Sequence, residues 1–266
     1  MIDIRVLHTI EELKTVVELE IAVWGLAPHD AVPTSLMHVI ALRGGLALGA
    51  YEGDQMIGLL LGLPVRDHDR WILWSHMTGI HPDHQGKGVG TALKLFQRQW
   101  ALQNGFTTIG WTFDPLQSGN ARFNFHLLGQ SAALSSHIYH VNFYGEMDDD
   151  INRGMPSDRI EAIWDIDQPS LHDHSQEHAP WLLEERNGLP HLANVSTFQW
   201  DAIAYRIAIP RDLDAVRRAS PGAVLSWRLA LREAMQAAFE QGFAAVDFLT
   251  QNGECAYLLK RTISPS

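Results

Sequence analysis

The spacing of apolar and polar residues predicts alternating strands and helices in the first part of the chain. Residues 2–8 alternate between apolar and polar, as a half-buried strand does. Thr9, followed three residues later by Glu12, predicts a helix N-terminus with a capping box. This helix is expected to end near Gly25, and a second, short helix is predicted over residues 35–42.

A hairpin and a longer strand come next. Residues 45–50 and 56–65 are predicted to pair around the turn residues 52–54, and residues 71–80 form a further strand. Apolar residues at helical spacing then predict a helix over residues 88–104. A strand, a helix and a second strand are predicted at residues 107–113, 120–128 and 136–144.

The C-terminal part gives a weaker pattern. Residues 171–187 are polar and rich in His and Glu, which predicts a linker. Beyond it the pattern predicts a strand at 202–209, a helix opened by Ser220-Pro221, and strands at 244–249 and 256–260. Residues 97–113 and residues 233–248 show the same predicted order of a helix, a Gly-Phe pair and an apolar strand. This similarity is either a common type of helix–strand junction or the trace of a degenerate half-repeat. We predict two domains, residues 1–165 and 166–266.

Composition excludes several classes of function. The chain has 266 residues and a net charge of −11, which argues against a general nucleic-acid binder and against a polybasic membrane surface. Its single cysteine, Cys255, allows no internal disulfide. No signal peptide and no apolar stretch of membrane-spanning length is visible. We therefore expect a cytoplasmic protein with no nucleic-acid or membrane partner.

The strongest functional motif is a glycine-rich turn between a strand and a helix, over residues 77–90. The first turn of a helix has unpaired N–H groups and a positive dipole end, which together bind a pyrophosphate. Gly86, Gly88 and Gly90 remove side chains that would obstruct the approach, and Lys87 adds a positive charge. The motif therefore predicts a site for a phosphate-containing ligand.

Two common phosphate-binding motifs do not fit this turn. Its spacing is Gln-x-x-Gly-x-Gly rather than the Gly-x-Gly-x-x-Gly of dinucleotide sites, and it lacks the Gly-Lys-Ser/Thr ending of a P-loop. The turn also follows four predicted strands with hairpin connections, whereas a dinucleotide loop follows the first strand of a βαβ unit.

The segment resembles the acyl-CoA signature of the GNAT superfamily of N-acetyltransferases, Gln/Arg-x-x-Gly-x-Gly/Ala, which Gln85, Gly88 and Gly90 match. The resemblance covers residues 1–145. It implies an α/β (α+β) fold, a mixed and mostly antiparallel sheet with flanking helices, to which a C-terminal α/β extension is added. It also implies acetyl-CoA or another acyl-CoA as co-substrate, with loop amides on the pyrophosphate and the preceding strand along the pantetheine arm. The CoA-binding residues so predicted are Gly79, Ile80, Gln85, Gly86, Lys87, Gly88, Val89, Gly90, Thr91 and Asn120.

Two further features refine the resemblance. Residues 142–159 look like a GNAT branch with an extended C-terminus, some members of which are amino-acid N-succinyltransferases. Many GNAT enzymes carry a tyrosine that protonates the leaving thiolate, and the matching residue here is Phe125. Since phenylalanine cannot donate a proton, another group, water or the amine product must do so.

Candidate catalytic residues follow from this chemistry. An ammonium cannot attack a thioester, so a base must first take its proton. His76 is the first candidate, predicted to share a strand face with Trp74, Thr78 and Ile80, and Asp114 is the second. Each has a structural alternative, a hydrogen-bonded histidine and a turn-forming aspartate. The candidates for the acid are Tyr139 and Tyr144, which could equally be strand aromatics.

Other polar residues have less specific readings. Arg122 and Arg159 could bind a substrate carboxylate, or be surface cations. Cys255 is interpreted as structural because no histidine partner is evident. The His-rich stretch containing His172, His174 and His178 resembles a metal tract, but its linker context supplies no fixed geometry, so no metal is predicted.

The residues and the resemblance together predict an N-acyltransferase that moves an acetyl or succinyl group to the amine of a small molecule such as an amino acid. Two alternatives stay open. One is a protein lysine or N-terminal acetyltransferase, and the other is a non-catalytic acyl-CoA sensor, which Phe125 favours. Edge strands in the C-terminal part leave a homodimer possible.

Overall fold

The computed structural model describes residues 2–145, 155–172, 178–251 and 253–261. Its α-helices are α1 Ile10–Trp24, α2 Thr34–Leu42, α3 Val89–Gln103, α4 Ser118–Ala121, α5 Leu213–Ala219 and α6 Pro221–Glu240. A 3-10 turn spans Pro82–His84, and a π-helix spans Arg122–Leu128. The strands are β1 Asp3–Val6, β2 Leu46–Glu52, β3 Gln55–Asp67, β4 Arg70–Ile80, β5 Thr108–Phe113, β6 Ala133–His140, β7 Arg159–Asp165, β8 Trp181–Arg186, β9 Leu189–Leu192, β10 Ala204–Ile209, β11 Phe243–Gln251 and β12 Glu254–Arg261.

The chain divides into two compact units. Unit 1 comprises residues 1–111 and 165–167, and unit 2 comprises residues 112–164 and 168–266. The predicted domain boundary at residue 165 does not coincide with this division, because the segment Asp165–Asp167 is packed in unit 1, where the Ile166 N–H donates to the Thr107 carbonyl (2.9 Å). The two-domain assignment stays a prediction.

Unit 1 is built on strands in the order β1-β2-β3-β4-β5. Neighbouring strands from β1 to β4 are antiparallel, whereas β4 and β5 are parallel. Helices α1 and α2 cover one face, where Leu13, Met37 and Leu61 belong to one buried cluster. Helix α3 covers the other face with Val89 and Leu93. Burying both faces explains why the central strands are apolar with little alternation.

Unit 2 contains strands in the order β7-β6-β11-β12-β10-β8-β9. The pairs β11-β12 and β10-β12 are antiparallel, and β10 pairs with β8 in parallel. Helix α6 buries Trp227, Leu231 and Met235 completely. This unit therefore has its own apolar core, formed largely from residues for which the sequence pattern was weak.

Most of the predicted elements of the first part are confirmed. The capping box of α1 is present, with Glu12 accepting from the Thr9 N–H (2.9 Å) and the Glu12 N–H donating to Thr9 Oγ1 (3.3 Å). Gly25 ends this helix in the left-handed conformation. The helix–glycine–strand junctions after α3 and α6 both contain a glycine of positive φ, 81° at Gly105 and 78° at Gly242.

Several predictions for the later part were wrong. The predicted linker over residues 171–187 includes strand β8, whose Leu182 and Leu183 are buried; residues 173–177 lie outside the described residues. The predicted strand over residues 136–144 begins and ends earlier, because the chain turns at Asn142 with a φ of 50°. The predicted helix over residues 120–128 is α4 followed by the π-helix. Strands β7 and β9 and helix α5 were missed.

None of the helices in the described ranges is both long enough and apolar enough to cross a bilayer.

Candidate active site

The glycine-rich loop of unit 1 is anchored at both sides by hydrogen bonds. The His81 N–H donates to the Ile57 carbonyl (2.9 Å), and the Gln85 N–H donates to the Pro82 carbonyl (3.3 Å). The Gln85 side chain donates from Nε2 to the Ile80 carbonyl (3.2 Å). Gln85 therefore ties the loop back to the end of β4.

The loop amides face open space. Gly86 and Gly88 have φ values of 72° and 83°, a conformation that disfavours other residues, and a Cβ at either position would meet no atom within 4 Å. Gly88 caps α3 without a side-chain hydrogen bond. Because the Ala92 N–H donates to the Gly88 carbonyl (3.0 Å), the N–H groups of Val89, Gly90 and Thr91 have no acceptor within the helix. This arrangement forms an unobstructed cradle for an anion.

The strand that leads into the loop has an open backbone edge. Strand β4 pairs with β5 only at Leu73 and Trp74, so among the described residues its segment from Ser75 to Ile80 is not paired with β5. The segment pairs with β3 on its other side alone. Its free N–H and C=O groups can therefore pair with an extended ligand, as an added strand would.

His76 occupies a β-bulge in this open segment. Ser75 pairs with Gly62 and Met77 with Leu61, which leaves His76 as an extra residue without a partner on β3. The extra residue interrupts the alternation of β4, since Ser75 contacts Lys94 of α3 and Ile80, five residues on, also packs on the α3 side. Trp74 therefore cannot share a face with Thr78 and Ile80, and the predicted common face of these residues with His76 was wrong. The imidazole is exposed at the surface, and partial desolvation lowers its pKa below its ordinary value.

Sequence reasoning missed a buried lysine beside this segment. Lys94 of α3 donates to Ser75 Oγ (2.8 Å) and to Gln97 Oε1 (3.2 Å), and its Nζ lies 3.9 Å from the centroid of the Trp111 ring. Burial lowers the pKa of this ammonium to about 7. Its position beside Leu93, on the buried side of α3, was the only signal that the sequence offered.

In unit 2, Asp114 lies in a buried ion pair. Its carboxylate accepts two hydrogen bonds from Arg228 (2.6 and 2.8 Å) and one from the Leu116 N–H (2.9 Å). Burial opposes the charge of Arg228, but the hydrogen bonds to Asp114 outweigh it and raise the pKa of the guanidinium. Both carboxylate oxygens of Asp114 are therefore engaged in hydrogen bonds within the unit.

Tyr139 lies in a second ion pair of the same unit. Its hydroxyl donates to Asp158 (2.8 Å), which also accepts two hydrogen bonds from Arg232 (2.8 and 2.9 Å). Burial and the charge of Asp158 raise the pKa of Tyr139. Burial alone would raise the pKa of Asp158, but the hydrogen bonds from Arg232 outweigh it and lower that pKa. The sequence gave no sign of either arginine partner.

The other predicted residues of unit 2 are more exposed. Tyr144 is half-exposed, and the Arg159 guanidinium lies 5.1 Å from the centroid of its ring. The Arg159 Nε is buried and has no hydrogen-bond acceptor among the described residues. Arg122 and Asn120 are exposed, at the start of the π-helix and in α4.

Phe125 and Cys255 are both buried in unit 2. The Phe125 ring packs against Phe113 and Tyr257, with ring centroids 6.1 and 5.7 Å away. Its position inside the core explains why an apolar residue is tolerated there. Burial raises the pKa of the Cys255 thiol, which agrees with the structural interpretation of that residue.

A separate groove of about 480 Å³ lies in unit 1 between α1 and the β2-β3 hairpin. It contains none of the predicted site residues and is lined mainly by acidic and apolar side chains. The candidate active site is therefore defined by open backbone groups rather than by this groove.

Comparison with known proteins supports this assignment. Residues 14–125 match the family model of the acetyltransferase (GNAT) family. The ribosomal-protein-S18-alanine N-acetyltransferase from Escherichia coli is similar in structure, with a TM-score of 0.50 and 16% identity over 66% of this chain and 98% of that one. The structure of yncA from Salmonella typhimurium, solved with its cofactor acetyl-CoA, has a TM-score of 0.51 and 19% identity over 65% of this chain and 99% of that one.

No match is found among curated proteins. At these identities the two structures establish the fold, and the family model covers the segment that contains the glycine-rich loop. The predicted GNAT fold is thereby confirmed, with additional strands in the C-terminal part. Residues 14–125, which contain the glycine-rich loop, are thus similar to the acetyltransferase (GNAT) family.

Proposed function

We propose that this protein transfers an acyl group, acetyl or succinyl, from coenzyme A to the primary amine of a small molecule such as an amino acid. One observation carries the proposal: the unobstructed amides of Gly86 to Gly90 directly follow the open edge of β4. The neighbour yncA, which has this fold, was solved with acetyl-CoA.

The co-substrate would occupy the loop and the open edge together. The N–H groups of the loop and of the first turn of α3 would donate to the pyrophosphate, and exposed Lys87 would add a charge. The pantetheine arm would pair with β4 from Ile80 towards His76, a distance of roughly 13 Å at about 3.3 Å per residue. The thioester would thus lie near the bulge.

His76 supplies the base in this proposal. Its lowered pKa keeps the imidazole neutral at pH 7, so that it can accept a proton from the acceptor ammonium, directly or through water. The amine nitrogen then attacks the thioester carbonyl to form a tetrahedral oxyanion, and the C–S bond breaks. Unpaired backbone N–H at the bulge would stabilise the oxyanion.

The candidates for the acid and for binding of the acceptor are those predicted from the sequence, and each is weighed by its own contacts within unit 2. Tyr144 is the better of the two tyrosines as proton donor to the thiolate, because the Tyr139 hydroxyl already donates to Asp158. Arg159 would bind the carboxylate of the acceptor, since its buried Nε has an unused hydrogen. We assign Asp114 a structural role on account of its pair with Arg228.

The free, buried thiol of Cys255 is compatible with the cytoplasmic location that we propose. A homodimer stays a prediction.

The test is thiol release from acetyl-CoA and succinyl-CoA against free amino acids of both chiralities. Release above the no-amine blank would support a small-molecule acyltransferase, and the preferred donor would decide between acetyl and succinyl. If no thiol is released, the affinity for CoA is measured by calorimetry. Tight binding would direct the assay to peptide acceptors or favour a sensor, whereas absent binding would refute the loop assignment.

A further inference from the structure

Three polar side chains of unit 2 converge outside the proposed active site. His126 lies on the π-helix, His172 follows β7, and Asp247 lies on β11. Asp247 Oδ1 is 3.4 Å from His126 Nδ1 and 3.4 Å from His172 Nε2. The three ligand atoms all lie within 4.8 Å of one another. Imidazole nitrogen and carboxylate oxygen are ligands that Zn²⁺ accepts.

The charge of Asp247 requires a cation. Its side chain is 2% exposed, and apart from the two histidines it is bonded to the Phe248 N–H (2.7 Å). Among the described residues no lysine or arginine lies within ion-pair distance of it. A buried carboxylate with only neutral neighbours is costly. A metal ion bound by this cluster would supply a positive charge beside the buried carboxylate.

Local irregularities bring these groups together. The pairing of β11 shifts register between Ala245 and Asp247, which marks a bulge. In the π-helix the Gly129 N–H donates to the Asn124 carbonyl (3.2 Å), so the Phe125 carbonyl is left for His172 Nε2, 2.7 Å away. The Phe125 oxygen is thus a fourth possible ligand atom at the same point. Bulges and π-helical turns occur frequently at functional sites.

The residues around the cluster also position its two histidine rings. A Cβ on Gly129 would lie 2.7 Å from His172 Nε2, so that glycine gives the imidazole its place. The Gln130 amide lies 3.5 Å from Nε2 of His126, the ring nitrogen that points away from the cluster. Such outer contacts fix the orientation of a metal-binding histidine.

We propose that His126, His172 and Asp247, with the Phe125 carbonyl, bind a structural Zn²⁺ ion. Metal–ligand bonds of about 2.0–2.1 Å in a tetrahedron separate neighbouring ligand atoms by about 3.3–3.4 Å. The two 3.4 Å separations around Asp247 agree with this geometry, whereas His172 Nε2 and the Phe125 oxygen, 2.7 Å apart, would have to separate by about 0.6 Å when the ion binds. On binding, the neutral imidazole of His172 would present the Nε2 lone pair to the ion and carry its hydrogen on Nδ1, so that no net proton is released. The site contains only one residue of the His-rich tract seen in the sequence, His172.

The test is titration of Zn²⁺ into the full-length protein after chelator treatment and dialysis, followed by calorimetry. We expect one ion per chain and a higher Tm. Asp247→Asn should weaken Zn²⁺ affinity by more than about 100-fold, since changes outside the ligand set already cost about 10–100-fold. Because Asp247 is buried, His126→Gln, at a partly exposed position, provides a second variant that is easier to fold.

The matched control is His191→Gln, which removes an exposed histidine of the same unit and should leave Zn²⁺ affinity unchanged. Co²⁺ in place of Zn²⁺ should give the intense visible absorption of a tetrahedral site in the parent and the control. Equal Zn²⁺ affinity in the parent, Asp247→Asn and His126→Gln would overturn the proposal. A parent protein that binds no Zn²⁺ would overturn it as well.

Discussion

The glycine-rich loop of unit 1 leaves its backbone N–H groups open, whereas the buried ion pairs of unit 2 have their charged groups hydrogen-bonded to each other. In the loop, the N–H groups that open α3 have no helical acceptor and face open space. In unit 2, Asp114 and Asp158 each bind an arginine through two hydrogen bonds. The chain thus contains one set of polar groups left open and another set held in buried ion pairs.

The difference separates binding capacity from structural support. Unpaired N–H groups at an exposed helix end are solvated at little cost and can exchange water for a phosphate. A buried carboxylate without a partner would destabilise the fold, so its pairing is required whatever the protein does. Asp114 and Tyr139, which composition and position suggested as catalytic groups, belong to the paired set.

The largest expected effect comes from breaking the buried pair. Arg228→Leu would leave the Asp114 carboxylate buried without a cation, and should lower the free energy of unfolding by about 3–5 kcal/mol. Urea denaturation measures this change. Arg186→Leu, which removes an exposed pair with Glu184, is the control and should cost less than about 1 kcal/mol. A loss of similar size in both variants would contradict the structural role of the Asp114–Arg228 pair.

The next effect tests the base on the open strand. His76→Gln should lower kcat/KM by about 100-fold, because a positioned base contributes about 10²–10⁴ to the rate, and should leave CoA affinity unchanged. Because the pKa of His76 is lowered, its imidazole should stay unprotonated down to at least the ordinary histidine pKa near 6.5. The rate of the parent protein should therefore fall only below about pH 6.5. The rate of the His76→Gln variant should not show this decrease at low pH. The exposed His29→Gln is the control, and an unchanged rate in His76→Gln would reject the base.

A smaller effect is expected for the loop itself. Gly88→Val would place a branched side chain at a φ of 83° among the amides, and should weaken CoA binding by about 10- to 100-fold through one or two lost charge-assisted hydrogen bonds. Gly105→Val is matched, since Gly105 has a φ of 81°, similar open surroundings and a position at the other end of α3. Equal CoA affinity in the two variants, measured by calorimetry, would argue against the loop as the pyrophosphate site.

The smallest effect concerns Lys94, a buried charge with only neutral hydrogen-bond partners. Its pKa of about 7 in the folded protein lies below its ordinary value, so the unfolded chain binds more protons between pH 7 and about 10.5. Parent stability should therefore rise with pH across that window, and Lys94→Met should remove this rise while adding about 1 kcal/mol at pH 7. Lys14→Met, at an exposed position, is the control. The measurement is denaturant titration at pH 7 and pH 9.5. If Lys94 were solvated, the free energy of unfolding would change by the same amount between these pH values in all three proteins.

Much of unit 1 could be predicted because its signals are local. The capping box at Thr9 and Glu12 depends on residues three apart, and the loop motif of Gln85, Gly88 and Gly90 depends on a turn and a helix end. By contrast, β8 was read as part of a linker because its segment is rich in polar residues: the local Asn187-Gly188 turn to β9 was overlooked, and the second partner, β10, lies further along the chain. Unit 2 depends on such long-range pairing, which local patterns do not report.

By itself, the sequence determined the order of elements in unit 1 and the position of the anion-binding loop, since glycine freedom, capping and hydrophobic period act over a few residues. The tertiary structure decided which polar groups are open and which are paired. Three features depend on strand register or on packing: the bulge at His76, the arginine partner of Asp114, and the cluster of His126, His172 and Asp247. Those contacts arise only when distant segments fold together, so no local pattern could have encoded them.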